Sequence, residues 1–231
     1  MCIRDRVYLA QVRGYNALMI GETLFVTGLT QFISAPICGR LMSRMDPRLM
    51  IMIGFAALGL SSYMMTDLTR DWDYWELFVP QILRGFGLMF AMVPINNIAL
   101  GALPPERIKN ASGLYNLTRN LGGAVGLAVL NTMLNDRTDL HTARLHEAVT
   151  WSRQPVVETL NGLTQNLSSF GSAAPKMALQ QLYLIVHRQG MVMAFADVFW
   201  ALALLYGLLA GAVYLMKRPA EIGAGGSGGG H

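Results

Sequence analysis

Apolar residues run along this chain in long blocks rather than alternating with polar ones. A bilayer core is crossed by about 20 apolar residues rising 1.5 Å each. Five blocks reach that length: segment A over 18–39, B over 49–65, C over 75–103, D over 111–134 and E over 191–216. Membrane strands need only about ten residues and show a period of two. The blocks therefore predict helices, and the expected fold is all-α, a polytopic membrane bundle with five transmembrane helices. Residues 135–190 are polar but patterned: Val156, Leu160, Leu163 and Leu167 fall at i, i+4, i+7 and i+11, and Leu179, Leu182 and Val186 continue toward segment E. They predict a long loop with one or two amphipathic helices lying over the outer mouth. Residues 1–17 read as the stub of a preceding helix and outer loop, the first six fitting no pattern, and 217–231 as a flexible glycine-rich tail.

Composition agrees with a membrane. Apolar residues make up 53% and charged ones only 14%, where soluble chains average about 25% charged. A lipid-facing surface cannot tolerate charge. The net charge of +4 does not point to nucleic acid, because the basic residues sit in short clusters flanking the apolar blocks. Those clusters set an orientation instead. Arg40, Arg44 and Arg48 lie between A and B, Arg107 and Lys109 between C and D, and Lys217 and Arg218 after E. By the positive-inside rule these ends are cytoplasmic. The B–C loop, with Arg70 against Asp67, Asp71 and Asp73, is then outside, with Trp72, Tyr74 and Trp75 as its aromatic belt. Arg4, Arg6 and Arg13 run against this scheme. Cys2 and Cys38 suggest neither a disulfide nor a metal site, no cofactor is implied, and no H-E-x-x-H, P-loop or G-x-S-x-G motif signals an enzyme.

Polar residues inside the blocks are where chemistry would lie, since each charge at a helix centre costs a few kcal/mol. Arg84 and Arg119 each lie about nine residues from a segment end, roughly 13 Å, and so near the midplane. Gln81 accompanies Arg84, Asn116 and Asn120 accompany Arg119, and Gln31 interrupts segment A. Two readings stand for the arginines: locks bonding backbone carbonyls, or linings of a transport pathway. Glu22 and Asp197 are the membrane-region carboxylates, in the outer third of their segments, and are candidates for proton coupling or for interfacial anchoring. Gly85, Gly87, Gly122, Gly123 and Gly126 are expected to let helices approach closely. His141 and His146, five apart, are expected on a solvated helix.

Three stretches together resemble a known family. GRLMSRMDPR, containing Gly39, Arg40, Arg44, Asp46 and Arg48, resembles the cytoplasmic G-x-L-x-x-R-x-(G/D)-x-R loop of major facilitator transporters. PQILRGFGLMFAMVP, LPPERIKNASGLYNLTRNLGGAVG and AFADVFW are similar to the fourteen-helix drug:H+ antiporters of the EmrB/QacA group. The likeness covers about residues 7–218. It implies the last five helices of a major facilitator C-terminal bundle, lacking its N-terminal bundle, in the bacterial inner membrane. It further implies export of small amphipathic drugs against protons, with a periplasmic adaptor and outer-membrane channel as partners. Most of the family's proton-binding acids would lie in the absent half. The alternative is a non-transporting membrane scaffold or assembly subunit that pairs with another chain.

Overall fold

The computed structural model describes residues 16–67, 74–101, 105–150 and 152–215. The stub before residue 16, the loop residues Arg70, Asp71, Trp72 and Asp73, the side chains of Tyr74, Arg107 and Lys109, and the tail from 216 lie outside the described residues. Among the described residues six α-helices follow in order: α1 Ala17–Leu41, α2 Pro47–Met64, α3 Tyr74–Gly101, α4 Pro105–Ala148, α5 Gln154–Asn166 and α6 Ala174–Leu215. Short 3-10 turns at Met65–Asp67 and Ser168–Ala173 follow α2 and α5.

Among the described residues four helices are long and apolar enough to cross a membrane: Ala17–Leu41, Pro47–Met64, Trp75–Ala99 and Gly171–Leu215. Helix α4, which carries segment D, falls short on composition, because Asn116, Arg119, Asn120 and Asn131 dilute its apolar residues. The expected ends of D and E also need correction. Helix α4 runs for 44 residues to Ala148, and α6 for 42 from Ala174, so much of the supposed loop belongs to these two helices. The reason is local: from Asn135 to Ala148 no glycine or proline breaks α4, and Leu179, Leu182 and Val186 lead into segment E at helical spacing. Between them α5 buries Leu160, with Val156, Leu163 and Leu167 half-buried beside it and Asn161 and Gln165 exposed.

The chain divides into two compact units. In the unit of Phe25–Ser62, Phe78–Gly126 and the described residues from Leu202, α3 is the shared partner. A Cβ at Gly85 would lie 2.8 Å from the Thr27 carbonyl oxygen of α1, and one at Gly87 2.8 Å from that of Gly54 in α2. Backbones approach this closely only where a side chain is missing. Tyr115 Oη donates to Asn96 Oδ1 and ties α4 to α3. Phe55 stacks on Tyr206 of α6 at 6.2 Å. Cys38, Met50 and Phe90 form an apolar cluster with Leu41, Met42, Met45, Phe86 and Val93 packed against it.

The other unit takes in Tyr63–Leu77, Leu127–Ala201 and the described residues up to Leu24. In it α4 and α6 run together. Gly190 is the close point: a Cβ there would sit 2.5 Å from Thr142 Oγ1 and 3.1 Å from the Thr142 nitrogen. His146, Tyr183 and His187 form a ring stack, with centroids 5.4 and 6.2 Å apart.

Candidate functional site

Arg84 and Arg119 look alike in sequence but occupy opposite environments. Arg84 is 2% exposed on α3, with Gln81 at 1%, Thr27 at 2%, and Ser61 and Ser62 buried in the same unit. Thr27 Oγ1 donates to Gln81 Oε1, and Ser61 Oγ donates to the Pro80 carbonyl at 2.8 Å. Buried polar groups are costly unless bonded, so this chain encloses Arg84 within a polar core of its own. Gln81 Nε2 is buried there without a hydrogen-bond partner among the described residues. Gln31 of α1 is half-buried.

Arg119, Asn116 and Asn120 are exposed on α4. At 100° per residue they share one side of the helix with Tyr115, Gly122, Gly123 and Gly126. The opposite side carries Leu114, Leu117, Leu121 and Val125, all more than half exposed. Gly122, Gly123 and Gly126 were expected to pack helices, but a Cβ at each would meet nothing within 4 Å. That expectation is corrected: close packing in this chain falls to Gly85 and Gly87, which face α1 and α2. The α4 glycines instead leave a small-residue surface flanking Arg119.

The two carboxylates also differ. Glu22 is exposed on α1. Asp197 on α6 is held at 2.9 Å by His141 Nε2 and at 3.6 Å by Arg137 Nη1, both from α4. His141, expected in solvent, is 8% exposed. The miss came from placing both α4 histidines, five apart, on a solvated helix. The usable signal was Thr138, His141, Thr142 and Leu145 at i, i+3, i+4 and i+7, which marks a buried face continuing beyond segment D.

Residues 6–127 match the family model described as Major Facilitator Superfamily. The chain belongs to that superfamily. Among curated relatives, the colistin resistance protein EmrB of Acinetobacter baumannii is 34% identical over 92% of this chain and 41% of its own length. The multidrug export protein EmrB of Escherichia coli is 30% identical over 96% of the chain and 42% of its length. The fatty acid resistance protein FarB of Neisseria gonorrhoeae is 28% identical over 92% and 41%. The chain thus spans about two fifths of the length of the curated relatives it matches. With its apolar helices, it is a multi-pass membrane protein.

In this major facilitator chain the α1–α2 turn displays the arginine motif. Gly39, Arg40, Arg44 and Asp46 are exposed, while Arg48 is half-buried with Nε and Nη2 lacking hydrogen-bond partners among the described residues. Ser43 Oγ donates to the Arg40 carbonyl at 2.8 Å, and the Arg44 and Met45 amides donate to the Leu41 carbonyl at 2.9 and 2.8 Å. Pro47 then opens α2, where its fixed φ suits a first helical turn. Arg40 and Arg44 line a groove of about 360 Å³ with Ile37, Leu41 and Ser43. The turn is therefore a cationic surface that can meet anionic groups.

Proposed function

We propose that this chain supplies the C-terminal helices of a proton-coupled exporter of amphipathic toxic compounds in the bacterial inner membrane. The observation that carries the reading is the α4 side bearing Arg119, Asn116 and Asn120, flanked by glycines and covered by none of the described residues within Cβ reach of Gly122, Gly123 or Gly126. Such a side is unsuited to lipid, because a cation near the helix centre is expensive there. It suits a water-filled path between two rocking bundles, the arrangement alternating access requires. The names of the relatives support the substrate class: colistin and fatty acids both join an apolar chain to charged groups. They favour an exporter over a scaffold.

Arg119, Asn116 and Asn120, with Gln31, line the path in this proposal. Arg84 and Gln81 instead hold α1, α2 and α3 together. Glu22 and Asp197 are the candidate proton carriers, and a periplasmic adaptor and outer-membrane channel the expected partners. On this reading the arginine turn lies in the cytoplasm and α5 outside. The test grafts residues 7–218 in place of the aligned segment of the Escherichia coli multidrug export protein EmrB. The graft should support proton-dependent efflux of a fluorescent amphipathic dye. Arg119→Ala should abolish efflux at normal membrane abundance, and Arg84→Ala should lower abundance itself. Normal efflux by Arg119→Ala would sink the pathway assignment.

A further inference from the structure

Three of the four histidines of the chain, His141, His146 and His187, lie along the α4–α6 seam. Among the described residues only His141 is paired with a carboxylate. Its Nε2 is 2.9 Å from Asp197 Oδ2, and its side chain is 10% exposed. Asp197 and Arg137, 3.6 Å apart, are 36% and 47% exposed. The carboxylate and guanidinium lie at the surface of the chain, while the imidazole lies behind them. The charged groups on the His141 side of the seam are Arg137 and Arg144 from α4, at i−4 and i+3, and Asp197 from α6. Asp136 lines an adjoining groove of about 590 Å³ together with Arg137 and Thr132.

We infer that His141 and Asp197 form a proton-binding site that clasps α4 to α6. With His141 neutral, Arg137 and Asp197 cancel. A proton from the aqueous side adds to the free ring-nitrogen lone pair and leaves the trio with one net positive charge. The imidazolium Nε2–H then donates to the Asp197 carboxylate, and release of the proton reverses the step. Protonation turns a bond with one charged partner into one between opposite charges, so acid tightens the clasp and alkali loosens it. The site stands on geometry; only its place in proton-coupled export rests on the function proposed above. On the proposed topology the clasp faces the side from which protons enter.

The experiment uses the full chain in lipid nanodiscs and measures amide hydrogen exchange over 137–146 and 186–197. Rates are taken at about pH 5.5 and about pH 7.5 and corrected for intrinsic exchange. Protection should be about three- to fivefold higher at the lower pH, since a partly exposed ion pair adds up to about 1 kcal/mol. His141→Gln, which keeps a donor but cannot titrate there, should show equal protection at both. Asp197→Asn should also flatten the profile, and His146→Gln should leave it intact. A flat wild-type profile overturns the inference, as does a pH response that survives His141→Gln or disappears in His146→Gln. Should His141→Gln fail to fold, wild type and Asp197→Asn decide alone. Exchange is read without transport, so these failures leave the exporter reading standing. A silent graft would sink that reading and leave the site.

Discussion

Replacing Gly54 by alanine adds one methyl group where two helix backbones meet. The new Cβ would lie 2.6 Å from the Ala91 nitrogen and 2.9 Å from the Gly87 carbonyl oxygen, whereas ordinary contact begins at 3.4 Å. Neither obstacle can swing aside, because both are helix backbone, so α2 and α3 must separate by most of an ångström. A gap of that size forfeits about a quarter to a half of each dispersion contact across the seam. Overpacked cores lose about 1–3 kcal/mol, and glycine-to-alanine in a helix returns about 0.5–1 kcal/mol through propensity. Gly54→Ala should therefore cost about 1–2 kcal/mol. Gly122→Ala is the matched control, since nothing lies within 4 Å of its Cβ. It should be neutral or more stable by up to about 1 kcal/mol. Reversible unfolding in mixed micelles, or steric trapping in bicelles, reads both on one scale. If the two variants match, or Gly54→Ala equals wild type, then the α2–α3 contact does not have the geometry described.

The polar core offers a second test: Thr27→Val removes the donor to Gln81 and should cost about 1–3 kcal/mol by stranding a buried amide. The double variant Thr27→Val/Gln81→Leu should recover most of that loss, and a purely additive double would refute the pairing. Topology is tested with cysteines at Ser43 and Asn161, both exposed, in a background lacking Cys2 and Cys38. A membrane-impermeant thiol reagent should label them from opposite sides, and labelling of both from one side would overturn the orientation.

The spans were legible because lipid imposes a one-dimensional rule: a run of about 20 apolar residues reads the same whatever it packs against. Segments A, B and C reappear as α1, α2 and α3 with ends shifted by a few residues. The far ends of α4 and α6 were not legible, because apolarity marks where lipid stops rather than where a helix stops. Thr138, His141 and Thr142 are polar and yet buried, with α6 meeting His141 at Asp197 and Thr142 at Gly190. The short motifs fared differently from one another. Gly85 and Gly87 sit at helix contacts, while the equally suggestive Gly122, Gly123 and Gly126 do not, since a glycine permits close approach without providing the partner that approaches.

The same limit explains why two arginines with similar neighbours in sequence part company in space. Each had an amide side chain one turn away and a central place in an apolar block. What separates them is the position of their helices. Helix α3 touches α1 at Gly85, α2 at Gly87 and α4 at Asn96, and Arg84 lies on an enclosed part of it while Val79 and Ile82 are exposed. On α4 the described residues from 116 to 125 are exposed on every side. An arginine on the shared helix must be accommodated by the chain itself, and its loss should be felt as lost folding. An arginine on α4 leaves folding of these helices largely alone, and its retention needs another cause. Efflux and abundance measured together on Arg84→Ala and Arg119→Ala read that difference. The order of effects argued here would fail if Arg119→Ala reduced abundance more than Arg84→Ala did.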